Sequence, residues 1–175
     1  MTRFATNLAL ALTLSIFTGV LSAQSTTTLS VTVGPEASLT VTTGTTTLST
    51  TATNFSLPYT GTTSLTYKIR TTKVGGTGTI TLKVTSDFAG TGGPSVTTPP
   101  TSGDALTYTN TVSTPGTATT GTLTASTASA TNVGSFGAAA NSSSGTGSVA
   151  WSLTDDPMYA TGTYSATVTF TISAT

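Results

Sequence analysis

The chain has 175 residues, with five basic and five acidic side chains and neither histidine nor cysteine. Without those two residue types it cannot assemble a Ser-His-Asp or Cys-His nucleophile, form a disulfide, or offer the nitrogen and sulfur ligands that transition metals prefer. The few charges are balanced and form no basic cluster, which argues against nucleic acid or an anionic membrane as a partner. We therefore expect neither an enzyme nor a protein that needs a cofactor.

The first residues predict an export signal. A positive start at Met1 to Arg3 precedes an apolar run from Phe4 to Leu21, and the small residues Ser22-Ala23 follow it. A membrane anchor is the alternative, but the run is short for a span, and no later segment is apolar enough to cross a bilayer. We expect a signal peptide at 1–23, cut after Ala23 or after Ser22, and one domain at 24–175. This domain is expected to be secreted and to be located outside the cell or at its surface.

Two-residue alternation predicts β-strands in the first half of the chain. A first strand is expected at Ser25 to Val33, which Gly34-Pro35 ends. Leu39 and Val41 start a second strand, which runs up to a turn at Gly44. Thr45 to Tyr59 is a threonine-rich extended stretch with Phe55, Leu57 and Tyr59 on one face. The segments Leu65 to Ile69 and Ile80 to Val84, joined by a glycine-rich loop, are expected to form a hairpin.

The middle of the chain has weaker patterns. Asp87 to Gly103 is rich in Gly, Pro, Ser and Thr and is predicted to be a long surface loop. Leu106 and Tyr108 indicate a short strand, and Thr119 to Ala128 is a weaker strand candidate. Ser129 to Gly147 is expected to be the least structured region.

The C-terminal pattern is the strongest. Val149, Trp151 and Leu153 alternate into a strand, and Asp155-Asp156-Pro157 then forms a turn. The last strand begins at Gly162. Its inward positions alternate with threonine and serine; they are Tyr164, Ala166, Val168, Phe170 and Ile172.

Eight or nine short strands with Gly and Pro turns indicate an all-β fold. An immunoglobulin-like antiparallel β-sandwich is expected, and a closed barrel is the weaker alternative. Low charge with much Thr, Ser and Gly is also typical of disorder, but the regular alternation of large apolar residues argues against it.

The candidate chemical sites have ordinary structural explanations. Lys68 and Lys83 occupy outward strand positions, where a lysine is normally a solvated charge rather than the activator of a serine. Asp155-Asp156 fits a turn better than a calcium site, which would need Asp87 or Asp104 brought in by folding. We therefore predict no catalytic, cofactor-binding or metal site.

The aromatic residues divide into two groups. Trp151, Tyr67 and Phe55 lie at inward positions, where core packing is more common than a sugar-binding platform. Tyr59, Tyr108 and Tyr159 lie near strand ends or turns and are better candidates for surface recognition.

The segment Ser25 to Val33 could act as a donor strand. An alternating segment of this kind can complete a neighbour's sheet, with main-chain hydrogen bonds giving affinity and Leu29, Val31 and Val33 filling pockets. Pairing within its own domain is the alternative, and it is favoured because it avoids the entropy cost of association.

The C-terminal strand carries a family resemblance. Gly162-Thr163-Tyr164, followed by Ala166, Val168, Phe170 and Ile172, resembles the last strand of secreted bacterial pilin-like β-sandwich subunits of the spore-coat-U and fimbrial type. The resemblance implies that Gly162 and Tyr164 to Ile172 form an assembly strand, and that Leu29, Val31 and Val33 are donor positions. The chain departs from that family in lacking a disulfide and in having Ala174, not tyrosine, next to its end.

These patterns predict an exported structural or adhesive surface protein. Its expected partners are copies of itself or related surface subunits. If it polymerises, it is a filament subunit. The alternative is a monomeric binding module that recognises carbohydrate or protein through loops at Phe88–Thr101 and Asn132–Gly147.

Overall fold

The computed structural model describes residues 25–175, so the predicted signal peptide lies outside the described residues. Within that range there is no helix, and nine strands form two antiparallel sheets, which confirms the all-β sandwich. The strands are β1 (Glu36–Val41), β2 (Tyr59–Arg70), β3 (Gly78–Ser86), β4 (Leu106–Val112), β5 (Thr117–Ala118), β6 (Leu123–Thr124), β7 (Thr131–Phe136), β8 (Asn141–Leu153) and β9 (Thr167–Ala174).

The two sheets differ in size. One has five strands in the order β1-β2-β8-β4-β6, and the other has four in the order β5-β7-β3-β9. The long strands β2 and β8 therefore lie inside the larger sheet, and β3 lies inside the smaller one. The edges are β1, β6, β5 and β9.

The core fills the space between the sheets with the inward residue of every second position, as strand geometry requires. Ile80, Leu82, Val133 and Val149 are all 0% exposed. The other buried apolar residues are Leu65, Tyr67, Ile69, Val84, Leu106, Tyr108, Ala125, Phe136, Ala140, Trp151 and Leu153.

The N–H and O–H groups of the core aromatic residues donate hydrogen bonds to threonine hydroxyls and to a backbone carbonyl. The indole N–H of Trp151 donates to the Thr63 hydroxyl at 2.8 Å, and that hydroxyl lies 2.6 Å from the one on Thr46. The Tyr108 hydroxyl donates to Thr131 Oγ1 at 2.8 Å, and the Tyr67 hydroxyl to the Ser113 carbonyl at 2.6 Å. A buried donor without such a partner would destabilise the fold.

The predicted hairpin between Leu65–Ile69 and Ile80–Val84 is wrong. Both strands exist, but β2 belongs to the five-stranded sheet and β3 to the four-stranded one. The connection between them crosses the sandwich and is held by other segments: the Thr72 N–H donates to the Thr175 carbonyl at 2.9 Å, and the Ala139 N–H to the Thr72 carbonyl at 3.0 Å. Seven residues span the roughly 10 Å between packed sheets easily, so a glycine-rich loop did not require a hairpin.

Ser129 to Gly147 is also corrected, because it contains β7 and most of β8. The polar stretch Asn141 to Gly147 has no apolar alternation of its own and pairs with β2, with a register shift between the Tyr67–Gly145 and Ile69–Ser142 pairs. Gly145 lies opposite Tyr67, whose ring occupies the space that a side chain at Gly145 would need. Small residues here make room for a large neighbour.

Three extended segments are shorter than predicted. Ser25 to Val33 contains no strand; its first residues, 25–32, form a separate unit from the sandwich at 33–175. In Thr45 to Tyr59 the pairing is limited to a bridge from Ser49 and to Tyr59, the first residue of β2, and Phe55 is 57% exposed with a φ of 59°, so it is not an inward residue. The last strand begins at Thr167, not at Gly162.

We predict that Thr63→Val lowers the free energy of unfolding by about 1–3 kcal/mol, because it leaves the buried Trp151 N–H without an acceptor. Urea unfolding followed by tryptophan fluorescence measures the change. Thr63→Ser keeps the hydroxyl and should recover much of the loss.

The matched control is Thr62→Val, one position earlier and exposed on the outer face, which should change stability by less than about 0.5 kcal/mol. Equal losses for Thr62→Val and Thr63→Val would show that the hydrogen bond is not the cause.

Candidate functional site: the open side of the sandwich

The inward side chains of β9 are less covered than those of its neighbour. Strand β9 pairs with β3 alone, in a register that aligns Ile172 with Ile80 and Phe170 with Leu82. Ile80 and Leu82 are fully buried, whereas Ile172 and Phe170 are only half-buried. The reason is position: β3 has a strand on each side, and β9 is the edge of its sheet.

The outer side of β9 also has free main-chain groups. The Thr175 N–H donates to the Thr77 carbonyl at 2.8 Å, so Thr175 faces β3. Because hydrogen-bonding direction alternates along an antiparallel pair, the N–H and C=O groups of the alternate residues face away from β3. Those residues are Val168, Phe170, Ile172 and Ala174.

Strand β1 forms the other border of this region. It pairs with β2 alone and contacts β9 across the sandwich. Its inward residues Ala37 and Leu39 are half-buried against the core. We call the half-covered apolar set Ala37, Leu39, Val168, Phe170 and Ile172 the open side of the sandwich.

The predicted donor residues are the most exposed large apolar side chains near the N-terminus. Leu29 is 92% exposed, Val31 85% and Val33 61%. None of the three belongs to the core cluster. The intramolecular pairing that was favoured for this segment is therefore absent from residues 25–33 as the structure describes them.

The beginning of the predicted assembly strand is wrong. Gly162 and Tyr164 lie in the loop before β9, and Ala166 packs, half-buried, against the core. The Tyr164 hydroxyl donates to the Ala160 carbonyl at 2.8 Å. Its ring lies where a side chain on Gly93 would be, so Tyr164 fastens this loop to the loop after β3.

Asp87 organises that second loop. Its Oδ1 accepts from the N–H groups of Phe88 and Val96, both at 2.8 Å, and its Oδ2 from the Ser95 hydroxyl at 2.7 Å and the Thr97 N–H at 3.1 Å. Burial alone would raise the pKa of Asp87, but these hydrogen bonds outweigh it and lower the pKa to about 2. The sequence predicted the loop and missed its organising residue; an Asp at the start of a Ser- and Thr-rich loop is the available signal.

The other residues singled out in the sequence lie partly in the core and partly on the surface. Tyr108 is 1% exposed, so its prediction as a surface-recognition residue is wrong, while Tyr67 and Trp151 lie in the core as expected. The outward prediction for Lys68 is confirmed, since it is exposed on β2. Among residues 25–175 no three acidic, histidine or cysteine side chains are grouped closely enough to hold a metal ion.

The two loops of the binding-module alternative have different outcomes. Phe88–Thr101 is a loop, whereas Asn132–Gly147 lies mostly in β7 and β8. Two shallow depressions of about 380 and 370 Å³ occur on the outward face of the five-stranded sheet, and hydroxyl side chains such as Thr62, Thr109 and Thr146 line them.

Comparison with known proteins adds no identity. No protein-family model matches the chain, and no curated protein or solved structure is significantly similar to it. In the described part of the chain, no helix is long and apolar enough to cross a membrane.

We predict that Asp87→Ala destabilises the protein by about 1–2 kcal/mol at neutral pH, because it removes a charged acceptor of several hydrogen bonds. The folded pKa is below the unfolded one, so the contribution is complete above pH 4 and is lost as the pH falls from about 4 to about 2. Urea unfolding of both proteins at neutral and low pH tests this.

Ser102→Ala, in the same loop and exposed, is the control and should leave stability unchanged. A difference between Asp87→Ala and the native chain that persists unchanged at pH about 2 would contradict a role for the charge.

Proposed function

We propose that the protein is an exported structural subunit that joins to copies of itself by β-strand addition. The segment Ser25 to Val33 of one copy pairs with the free edge of β9 in the next. Leu29, Val31 and Val33 then cover the open side of that copy.

The state of the four sheet edges is the observation that carries the proposal. Proteins protect edges with short strands, charges or proline. Strands β5 and β6 have two residues each, and β1 begins with Glu36 directly after Pro35. Strand β9 has eight residues, Thr167 to Ala174, with neither a charge nor a proline. It is the long unprotected edge of the described structure.

The two partners of this pairing match in length and pattern. Nine residues from Ser25 to Val33 span about 30 Å as a strand, and the eight of β9 span about 27 Å. Both alternate large apolar residues with threonine or serine, so an added strand can place apolar groups inward and hydroxyls in water. The net charge of zero also weakens repulsion between copies.

The exit point of the segment is fixed. Arg70 donates from Nε to the Gly34 carbonyl at 2.7 Å and from its terminal nitrogen to Glu36 at 3.0 Å. These contacts hold the chain where it enters β1. Residues 25–33 contribute no side chain to the core, so their pairing with another copy would leave the sandwich intact.

We predict that deleting Gln24 to Val33 abolishes assembly and preserves the fold, because residues 25–33 contribute no core side chain. Size-exclusion chromatography and electron microscopy report the assembly, and circular dichroism reports the fold. A synthetic peptide of the deleted sequence should bind the truncated protein and raise its melting temperature.

A triple variant with Leu29, Val31 and Val33 changed to serine should also fail to assemble. Its control changes the alternate residues Thr28 and Thr32 to serine, which keeps the apolar side chains and should keep assembly. Dispersed particles of the native protein at all concentrations and salt levels would overturn the proposal, and glycan binding by such a monomer would favour the binding module.

A further inference from the structure

A group of acidic and aromatic side chains meets at one end of the five-stranded sheet. The register aligns Leu153 of β8 with Leu106 of β4 and with Tyr59 of β2. Asp104, two residues before Leu106, and Asp155, two residues after Leu153, are thereby brought to the same end. Asp155 lies beside the Tyr59 hydroxyl, and Asp104 faces Asp156.

Asp156 has a buried oxygen without a partner. The residue is only 6% exposed, and its Oδ1 accepts from the Met158 N–H at 2.8 Å. Its Oδ2 is buried and accepts no hydrogen bond from any of the described residues. The Asp104 carboxyl group and the Thr101 hydroxyl are neighbours of this carboxylate, and neither is hydrogen-bonded to its Oδ2.

No basic side chain among residues 25–175 forms a salt bridge with either carboxylate. The one salt bridge among residues 25–175, between Arg70 and Glu36, lies at the opposite end of β2. Two facing carboxyl groups need either a shared proton or a cation between them.

We propose that Asp104 and Asp156 bind a calcium ion, with the unpartnered Oδ2 of Asp156 as a ligand. The available neighbours are all oxygen atoms: the Thr101 and Thr154 hydroxyls beside the two carboxylates, and the Tyr159 hydroxyl, 3.4 Å from Asp104 Oδ2. Calcium accepts such a mixed set of carboxylate, neutral oxygen and water ligands in flexible geometry, whereas magnesium demands a stricter octahedron.

The affinity should be low. Two carboxylates are fewer than high-affinity calcium sites use, so we expect a dissociation constant on the order of 0.1–1 mM. The ion would join the loop before β4 to the turn after β8, and thus steady this end of the sheet. This role is independent of strand addition at β9.

The test is calcium titration of the full chain at neutral pH after removal of metals with EGTA. Isothermal titration calorimetry should give one site, and about 10 mM CaCl2 should raise the melting temperature by about 3–10 °C. The same concentration of MgCl2 should have a much smaller effect.

Asp156→Asn and Asp104→Asn should each abolish the calcium response. Both should remain folded without calcium, because each removes the repulsion within the pair, and near-ultraviolet circular dichroism checks this. Glu36→Gln, which removes one exposed carboxylate elsewhere, is the matched control and should respond like the native chain.

Three results would overturn the proposal. One is the absence of heat and of any thermal shift with calcium. Another is an equal response of the native chain and Asp156→Asn. The last is stabilisation by mild acid without any effect of calcium, which would mean that the pair shares a proton instead.

Discussion

The pairing of β2 with β8 is the contact on which the rest of the structure depends. These are the longest strands, at 12 and 13 residues, and they lie side by side in the larger sheet. Their inward side chains form much of the core: Leu65, Tyr67 and Ile69 come from β2, and Val149, Trp151 and Leu153 from β8. A slip of either strand by one residue would turn its three apolar side chains outward. The buried bond from Trp151 to Thr63 holds the register, because it forms only when these two strands are correctly aligned.

Threonine has two separate roles in this fold. On outward positions it keeps a nearly uncharged sheet in contact with water while fitting the pleated backbone. On inward positions such as Thr63, and at Thr131 on β7, the same hydroxyl accepts from a buried aromatic residue. Salt bridges therefore contribute little to the fold: the one found among residues 25–175 is exposed, and exposed pairs of this kind contribute little.

The sequence predicted the fold class because alternation is a local property, visible wherever large apolar residues mark the inward face. It failed where the cause lies in another strand. Asn141 to Gly147 is a strand because it pairs with β2, where Gly145 leaves room for the Tyr67 ring. The partners of β2 and β3 depend on a loop that crosses between the sheets, which no local pattern predicts. For the same reason the sequence predicted Tyr108 as a surface residue, although its hydroxyl donates to the Asn132 carbonyl of β7 inside the sandwich. The half-covered β9 and the facing Asp104 and Asp156 likewise required the strand order.

Strand order also decides what kind of assembly the proposed pairing would give. Donor residues 25–33 and the acceptor edge β9 are different surfaces, so one-way donation is a heterologous contact, which repeats into rings or filaments and does not end in a dimer. In such an addition the donor segment and the β9 edge of every interior copy are both occupied, so growth continues at the free edge of the last copy.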